Sequence, residues 1–79
     1  MKLQYTAIDK NGNITQYMRT FADETSKSTV EDILYNQKRL LNAIAGSKTD
    51  GFLSFTDDDL GEVMLRVNEH SGFAFKIVD

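Results

Sequence analysis

Between Thr29 and Ala45 the chain holds its one sustained run of helical periodicity, and the residues on either side alternate as strands do. At about 100° per residue, Val30, Ile33, Leu34, Leu40, Leu41, Ile44 and Ala45 share one arc, while Glu31, Tyr35, Lys38, Arg39 and Asn42 lie outside it. Every strand must therefore find its cover on one helical stripe or elsewhere. Both helix ends can be read. Ser28 stands three residues before Glu31, the spacing of a reciprocal cap, and Glu31 and Asp32 would then place negative charge at the positive end of the helix dipole. Gly46 follows Ala45 and can close the helix in the left-handed conformation. Gln37 interrupts the apolar arc. A buried amide needs partners for its oxygen and its nitrogen, so Gln37 is expected to bond to nearby sheet backbone or to lie near the exposed end of the arc, or else to act as a specificity element at a helix interface.

With 79 residues and no cysteine, the chain is expected to form a single domain, residues 1–79, without disulfide or thiolate-metal support. A chain of this size buries only about 60–65% of its unfolded surface, and self-association is a common remedy for so small a core. No apolar run is long enough to cross a bilayer, and Met1–Tyr5 lacks the apolar segment of a secretion signal, so a cytoplasmic location is expected.

The flanking segments give five strands. Residues 2–8 alternate, and Asp9-Lys10-Asn11-Gly12 supplies a hairpin turn. A three-residue loop, Lys10-Asn11-Gly12, pairs Tyr5 with Tyr17 and Ile8 with Ile14, and gathers Met1, Leu3, Tyr5, Tyr17 and Phe21 on one face. A two-residue loop would pair Tyr5 with Met18 instead and scatter that set. The second strand is expected over residues 13–22. After the helix and a loop at Ser47–Gly51, strands are expected over residues 52–56, 62–68 and 73–78, with turns at Asp57–Gly61 and Glu69–Gly72. Leu53 and Phe55 share a side with Val63, Leu65 and Val67, and with Phe73, Phe75 and Ile77, which marks the core face. The fold class is α+β: order ββαβββ, a mostly antiparallel five-stranded sheet with one amphipathic helix packed on one face.

The opposite face is expected to present Phe52, Met64, Ala74 and Val78 with Met18, Ile8 and Ile14, more apolar surface than a monomer usually leaves in water. It would be covered by a second copy or by curling of the sheet. Phe52, Met64 and Met18 are thus candidate interface residues, joined by Tyr35 and Arg39 on the outward helix face, residue types that often anchor contacts. Tyr35 and Arg39, at i and i+4, can also stack on one another.

Candidate chemistry is thin. Asp9-Lys10-Asn11-Gly12-Asn13 spaces oxygen side chains like the start of a calcium loop, but Ile14 stands where that loop needs glycine and Thr20 where it needs a bidentate acid. Asp57-Asp58-Asp59 with Glu62 could hold a divalent ion loosely, yet reads first as solvated turn formers. His70 is the one histidine and Ser71 its neighbour, with no orienting acid or oxyanion donor in view. The five glycines stand singly, so there is no phosphate loop. Charge is uneven: residues 1–48 carry seven Lys/Arg and five Asp/Glu, net +2, and residues 49–79 carry two and seven, net −5. That acidic half disfavours phosphate backbones as partners.

These features point to a non-catalytic interaction or regulatory module, a homodimer binding another protein, without cofactor, metal or membrane contact. By size, acidity and a start at its own Met1 it suits an accessory or inhibitor protein of the phage or mobile-element type. The alternatives are a nucleic-acid-binding domain and a small-ligand or divalent-metal-binding domain.

Overall fold

The computed structural model describes residues 1–47 and 50–79. The elements are β1 (Lys2–Asp9), β2 (Ile14–Thr20), α1 (Lys27–Ser47), β3 (Phe52–Asp57), β4 (Gly61–Arg66), a 3₁₀ turn (Val67–Glu69) and β5 (His70–Val78). The order ββαβββ and the antiparallel pairing agree with the sequence. The single five-stranded sheet does not. The strands divide into a three-stranded sheet, β2-β1-β5, and a two-stranded sheet, β3-β4. β5 does not continue a hairpin from β4: the 3₁₀ turn redirects the chain, and β5 lies antiparallel beside β1.

The first hairpin has the three-residue-loop register, with Tyr5 opposite Tyr17 and Ile8 opposite Ile14. Gly12 sits at φ +86° and Gly61, at the β3–β4 turn, at φ +79°, values that a side chain at Cβ would strain. In both turns a leading aspartate folds onto the backbone ahead of it. Asp9 Oδ1 accepts from the N–H groups of Asn11 and Asn13, at 2.8 and 2.9 Å, and Asp57 Oδ2 from those of Asp59 and Leu60, each at 3.0 Å.

The helix begins two residues earlier than its sequence suggests. Ser26, not Ser28, is the cap, its hydroxyl accepting from the Thr29 N–H at 3.2 Å and pairing with the Thr29 hydroxyl at 2.8 Å. A serine or threonine stands at each of positions 25, 26, 28 and 29, so several caps compete, and the earlier one adds helical residues. Glu31 and Asp32 consequently fall beyond the first turn. Gly46 keeps a helical conformation, the helix runs on to Ser47, and Lys48 and Thr49 of the expected loop lie outside the described residues.

The buried core consists of Leu3, Tyr5, Val30, Leu53, Phe55 and Val67, with Tyr17, Phe21, Ile33, Leu34, Leu41, Ile44, Val63, Leu65, Phe73, Phe75 and Ile77 packed against it. The core face read from strand parity is thus the one observed. Leu40 and Ala45, placed on the apolar arc, are exposed at its margin. The two sheets meet through aromatic rings. Phe55 stacks on Tyr5 at 4.2 Å and 11°, and Tyr17 meets Phe55 edge-on at 5.1 Å; within the larger sheet, Phe75 meets Tyr5 edge-on at 5.6 Å. Burial raises the Tyr5 phenol above its ordinary pKa, with the neighbouring Arg19 charge pulling the other way. Gln37 donates to the Ser54 carbonyl at 3.0 Å, fastening the helix to β3 backbone. At the far end of the helix, a Cβ on Gly51 would come within 3.0 Å of three Ile44 atoms, so this close approach suits glycine.

Three further boundaries differ from the sequence reading by two residues or more. β2 ends at Thr20, β4 ends at Arg66 where the 3₁₀ turn takes over instead of running to residue 68, and β5 begins at His70, since His70 pairs with Asp9 and Gly72 with Ile8 across a shift in register. Glu69–Gly72 has turn composition, but β1 offers Gly72 a ladder, and the Ser71 hydroxyl donates to the Ile8 and Asp9 carbonyls at 3.3 and 3.0 Å.

Candidate functional site

The three-stranded sheet has two outer edges, and the hydrogen bonds fix which groups face outward on each. On β2, the Met18 N–H donates to Asp57 Oδ1 at 2.8 Å, and the Met18 carbonyl accepts from the Asp58 N–H at 2.8 Å. The Thr20 N–H and hydroxyl donate to the two oxygens of Asp58, at 2.9 and 2.5 Å. Met18 and Thr20 therefore turn their main chains away from β1, and in an antiparallel ladder direction alternates along the strand. Tyr17 and Arg19 face Tyr5 and Leu3 of β1. Lys2, Gln4 and Thr6 must then face β5, opposite Val78, Lys76 and Ala74. By the same alternation, the N–H and C=O groups of Phe73, Phe75 and Ile77 point to the open side of β5. Among the described residues nothing hydrogen-bonds to them there.

Asp57 is largely buried, at 8% exposure. Its carboxyl lies below the ordinary aspartate pKa, first because it accepts the Met18 N–H, with the Leu60 and Asp59 N–H groups adding to this. Asp58 is lowered chiefly by the Thr20 hydroxyl and N–H. Asp9 is lowered in its turn, led by the Asn13 N–H. The acidic turn read from sequence as solvated is thus the latch of β2.

Beside the open edge runs a groove. Its larger part, about 370 Å³, is lined by Lys38, Leu41 and Asn42 of α1 and by Phe73, Ala74 and Phe75 of β5. It continues into a hollow of about 240 Å³ that shares Leu41, Asn42 and Phe73 and reaches Ala45, Val67, His70 and Gly72. Half-buried apolar side chains and unpaired main-chain groups lie side by side here. Lys38 is the charged side chain of the larger part, and it forms no ion pair among the described residues; the ion pair they contain joins Arg66 to Asp50 at 3.5 Å.

The expected interface residues are placed apart. Phe52 and Met64 share the outer face of the β3–β4 hairpin, 44% and 58% exposed, with the Arg66 guanidinium 5.3 Å from the Phe52 ring centre. Met18 is held at the opposite end of β3, by Asp57, about 17 Å along an extended strand from Phe52. Lys2, Gln4, Thr6 and Lys76 interrupt the outer face of the larger sheet, so the apolar reverse face is not continuous. Tyr35 is 62% exposed and lies under the Arg39 guanidinium at 5.9 Å, the intrahelical stacking that their spacing allows.

His70 Nδ1 lies 2.7 Å from the Arg66 carbonyl, and Ser71 bonds to β1, so neither side chain faces the other. Phe55, Phe73 and Phe75 are packed against the core instead of forming an exposed stacking platform. No helix among the described residues is long and apolar enough to cross a membrane. Sequence reasoning missed the β5 edge as a candidate site. The signal available was its alternation Phe73, Phe75, Ile77 without proline, but edge status depends on strand order. Compared with known proteins, the chain matches no family model, no curated protein and no solved structure.

Proposed function

We propose that the chain is a small non-catalytic interaction module that takes up an extended segment of another polypeptide by strand addition at β5. The observation that carries this reading is the row of outward main-chain groups at Phe73, Phe75 and Ile77, unpaired among the described residues and bordered by a groove that Leu41, Phe73 and Phe75 line together with Lys38 and Asn42. Main-chain bonds to such an edge supply affinity, and side chains entering an adjacent groove supply selectivity. Proteins usually blunt free edges with charge, proline, bulges or a covering element. Over Phe73–Val78 this edge carries a single charge, Lys76, and no proline.

The homodimer expected from the reverse face loses its main support once that face is divided, and the weight moves to the edge. An accessory or inhibitor role, binding without chemistry, accords with such a surface.

Selection of binders from a displayed library of random twelve-residue peptides, followed by amide exchange on the complex, tests the reading. The expected result is new protection at Phe73, Phe75 and Ile77. A library that yields no binder, or protection confined to the Phe52–Met64 or Tyr35–Arg39 surfaces, overturns it.

A further inference from the structure

We infer that the segment received at β5 carries an acidic side chain directed at Lys38, two residues from an apolar side chain that enters the groove against Leu41 and Phe73. This rests on the strand-addition reading and goes further, because it states the chemistry of the occupant and distinguishes it from a second copy of this chain.

Strand geometry sets the spacing. Side chains of an added strand alternate between faces, so only every second one points under the helix. The positions available there meet two environments. Near Phe73 the wall is Leu41 and aromatic ring, which favours an apolar side chain. Toward Phe75 the wall includes Lys38, whose ammonium has no ion-pair partner among the described residues. No acidic residue of this chain lines either part of the groove. A basic side chain brought there would meet like charge in a partly desolvated setting, and an acidic one would complete a pair.

A second copy satisfies this pattern poorly. Self-pairing around a two-fold axis must join the outward residues Phe73, Phe75 and Ile77 to each other, so paired residue numbers sum to an even value. The acidic residue that β5 could offer is Asp79, just past its end. Setting Asp79 opposite Phe73 places Lys76 opposite Lys76 of the other copy, a directly facing like-charge pair. Setting it opposite Phe75 leaves only Lys76–Val78 of each β5 strand paired with the other. The charge on the groove wall is met better by a different polypeptide.

The test uses the whole chain and a displayed library of random eight-residue peptides, selected in parallel on the wild type and on Lys38→Glu. Lys38 is an exposed helical residue, so its replacement leaves the fold intact, which the circular dichroism melt of the variant verifies. Wild-type selection is expected to enrich Asp or Glu two positions from an apolar residue, and the variant to enrich Lys or Arg at the same position. A synthetic peptide from the wild-type pool should bind Lys38→Glu about five- to tenfold more weakly. Its Asp→Lys version should recover affinity on the variant. Peptides that protect the Phe73, Phe75 and Ile77 amides without any charge preference overturn this inference and leave strand addition standing. Peptides that protect other surfaces overturn both. Sedimentation showing a dimer at micromolar concentration, with those three amides protected in the absence of peptide, overturns the choice of a foreign partner.

Discussion

The outer edges of β2 and β5 belong to one three-stranded sheet and are treated in opposite ways. On β2 the outward groups of Met18 and Thr20 are met by Asp57 and Asp58, which reach across from the other sheet with carboxylates and a backbone N–H. On β5 the outward groups of Phe73, Phe75 and Ile77 have no hydrogen-bond partner among the described residues. A carboxylate accepting a backbone N–H satisfies the edge without offering it a new ladder, so the β2 side is closed to further pairing at that point. The difference shows that an edge is exposed or guarded by what the rest of the chain brings to it, not by the edge sequence itself: Tyr17-Met18-Arg19 is no less strand-like than Phe73-Ala74-Phe75.

The contrast can be broken by direct measurement. The largest expected effect is in amide exchange of the free protein. Met18 and Thr20 should exchange about a hundredfold more slowly than Phe73, Phe75 and Ile77, because the first pair open only with the sheet-to-sheet corner. Equal rates at the two edges would remove the distinction. Next is Asp57→Ala, which leaves the Met18, Asp59 and Leu60 N–H groups without their acceptor. Its thermal midpoint should fall on the order of 10 °C, and a midpoint equal to the wild type would show that the latch is ornamental.

Acid should act in the same direction and more gradually. Asp57, Asp58 and Asp9 all have folded-state pKa values below the ordinary aspartate value. Each therefore contributes stability that is complete above the unfolded pKa of about 3.9 and is lost as pH falls from there through the folded value. Thermal midpoints should decline below about pH 4.5, and Asp58→Asn should flatten that decline while lowering the plateau at neutral pH. An Asp58→Asn profile parallel to the wild type would mean that the corner does not titrate. The smallest effect sharpens the choice between edge and face: Met64→Asp, on the exposed side of β4, should shift the midpoint by less than about 3 °C and leave the sedimentation behaviour unchanged. Loss of a wild-type dimer in Met64→Asp would restore the reverse face as the interface.

Local chemistry was legible in the sequence and distant pairing was not. The Asn11-Gly12 turn, the Tyr5–Tyr17 register and the core parity of Phe73, Phe75 and Ile77 all follow from neighbours within a hairpin or from period-two alternation. Gln37 could be assigned to sheet backbone because an amide in an apolar arc has few other outlets. The role of Asp57 could not be read, since its main partner is 39 residues away and its local pattern is that of any acidic turn. The placement of β5 beside β1 is likewise a choice between distant strands, and with it went the open edge, the groove and Lys38. The continuity of the reverse face was misread for the same reason: alternation gave each strand's outward residues but not that they would be divided between two sheets.

The bond from Met18 to Asp57 also has a kinetic meaning. It closes a segment of 39 residues that contains the whole helix, and the entropy of bringing such ends together costs about 3 kcal/mol, against about 1 kcal/mol for the four-residue closure at Asp9. Loop closure therefore favours forming the hairpin before the corner, whose search helix docking would shorten. Weakening the corner should accelerate opening and leave the rate of refolding almost untouched, so this clasp governs how long the native molecule lasts more than how quickly it is reached.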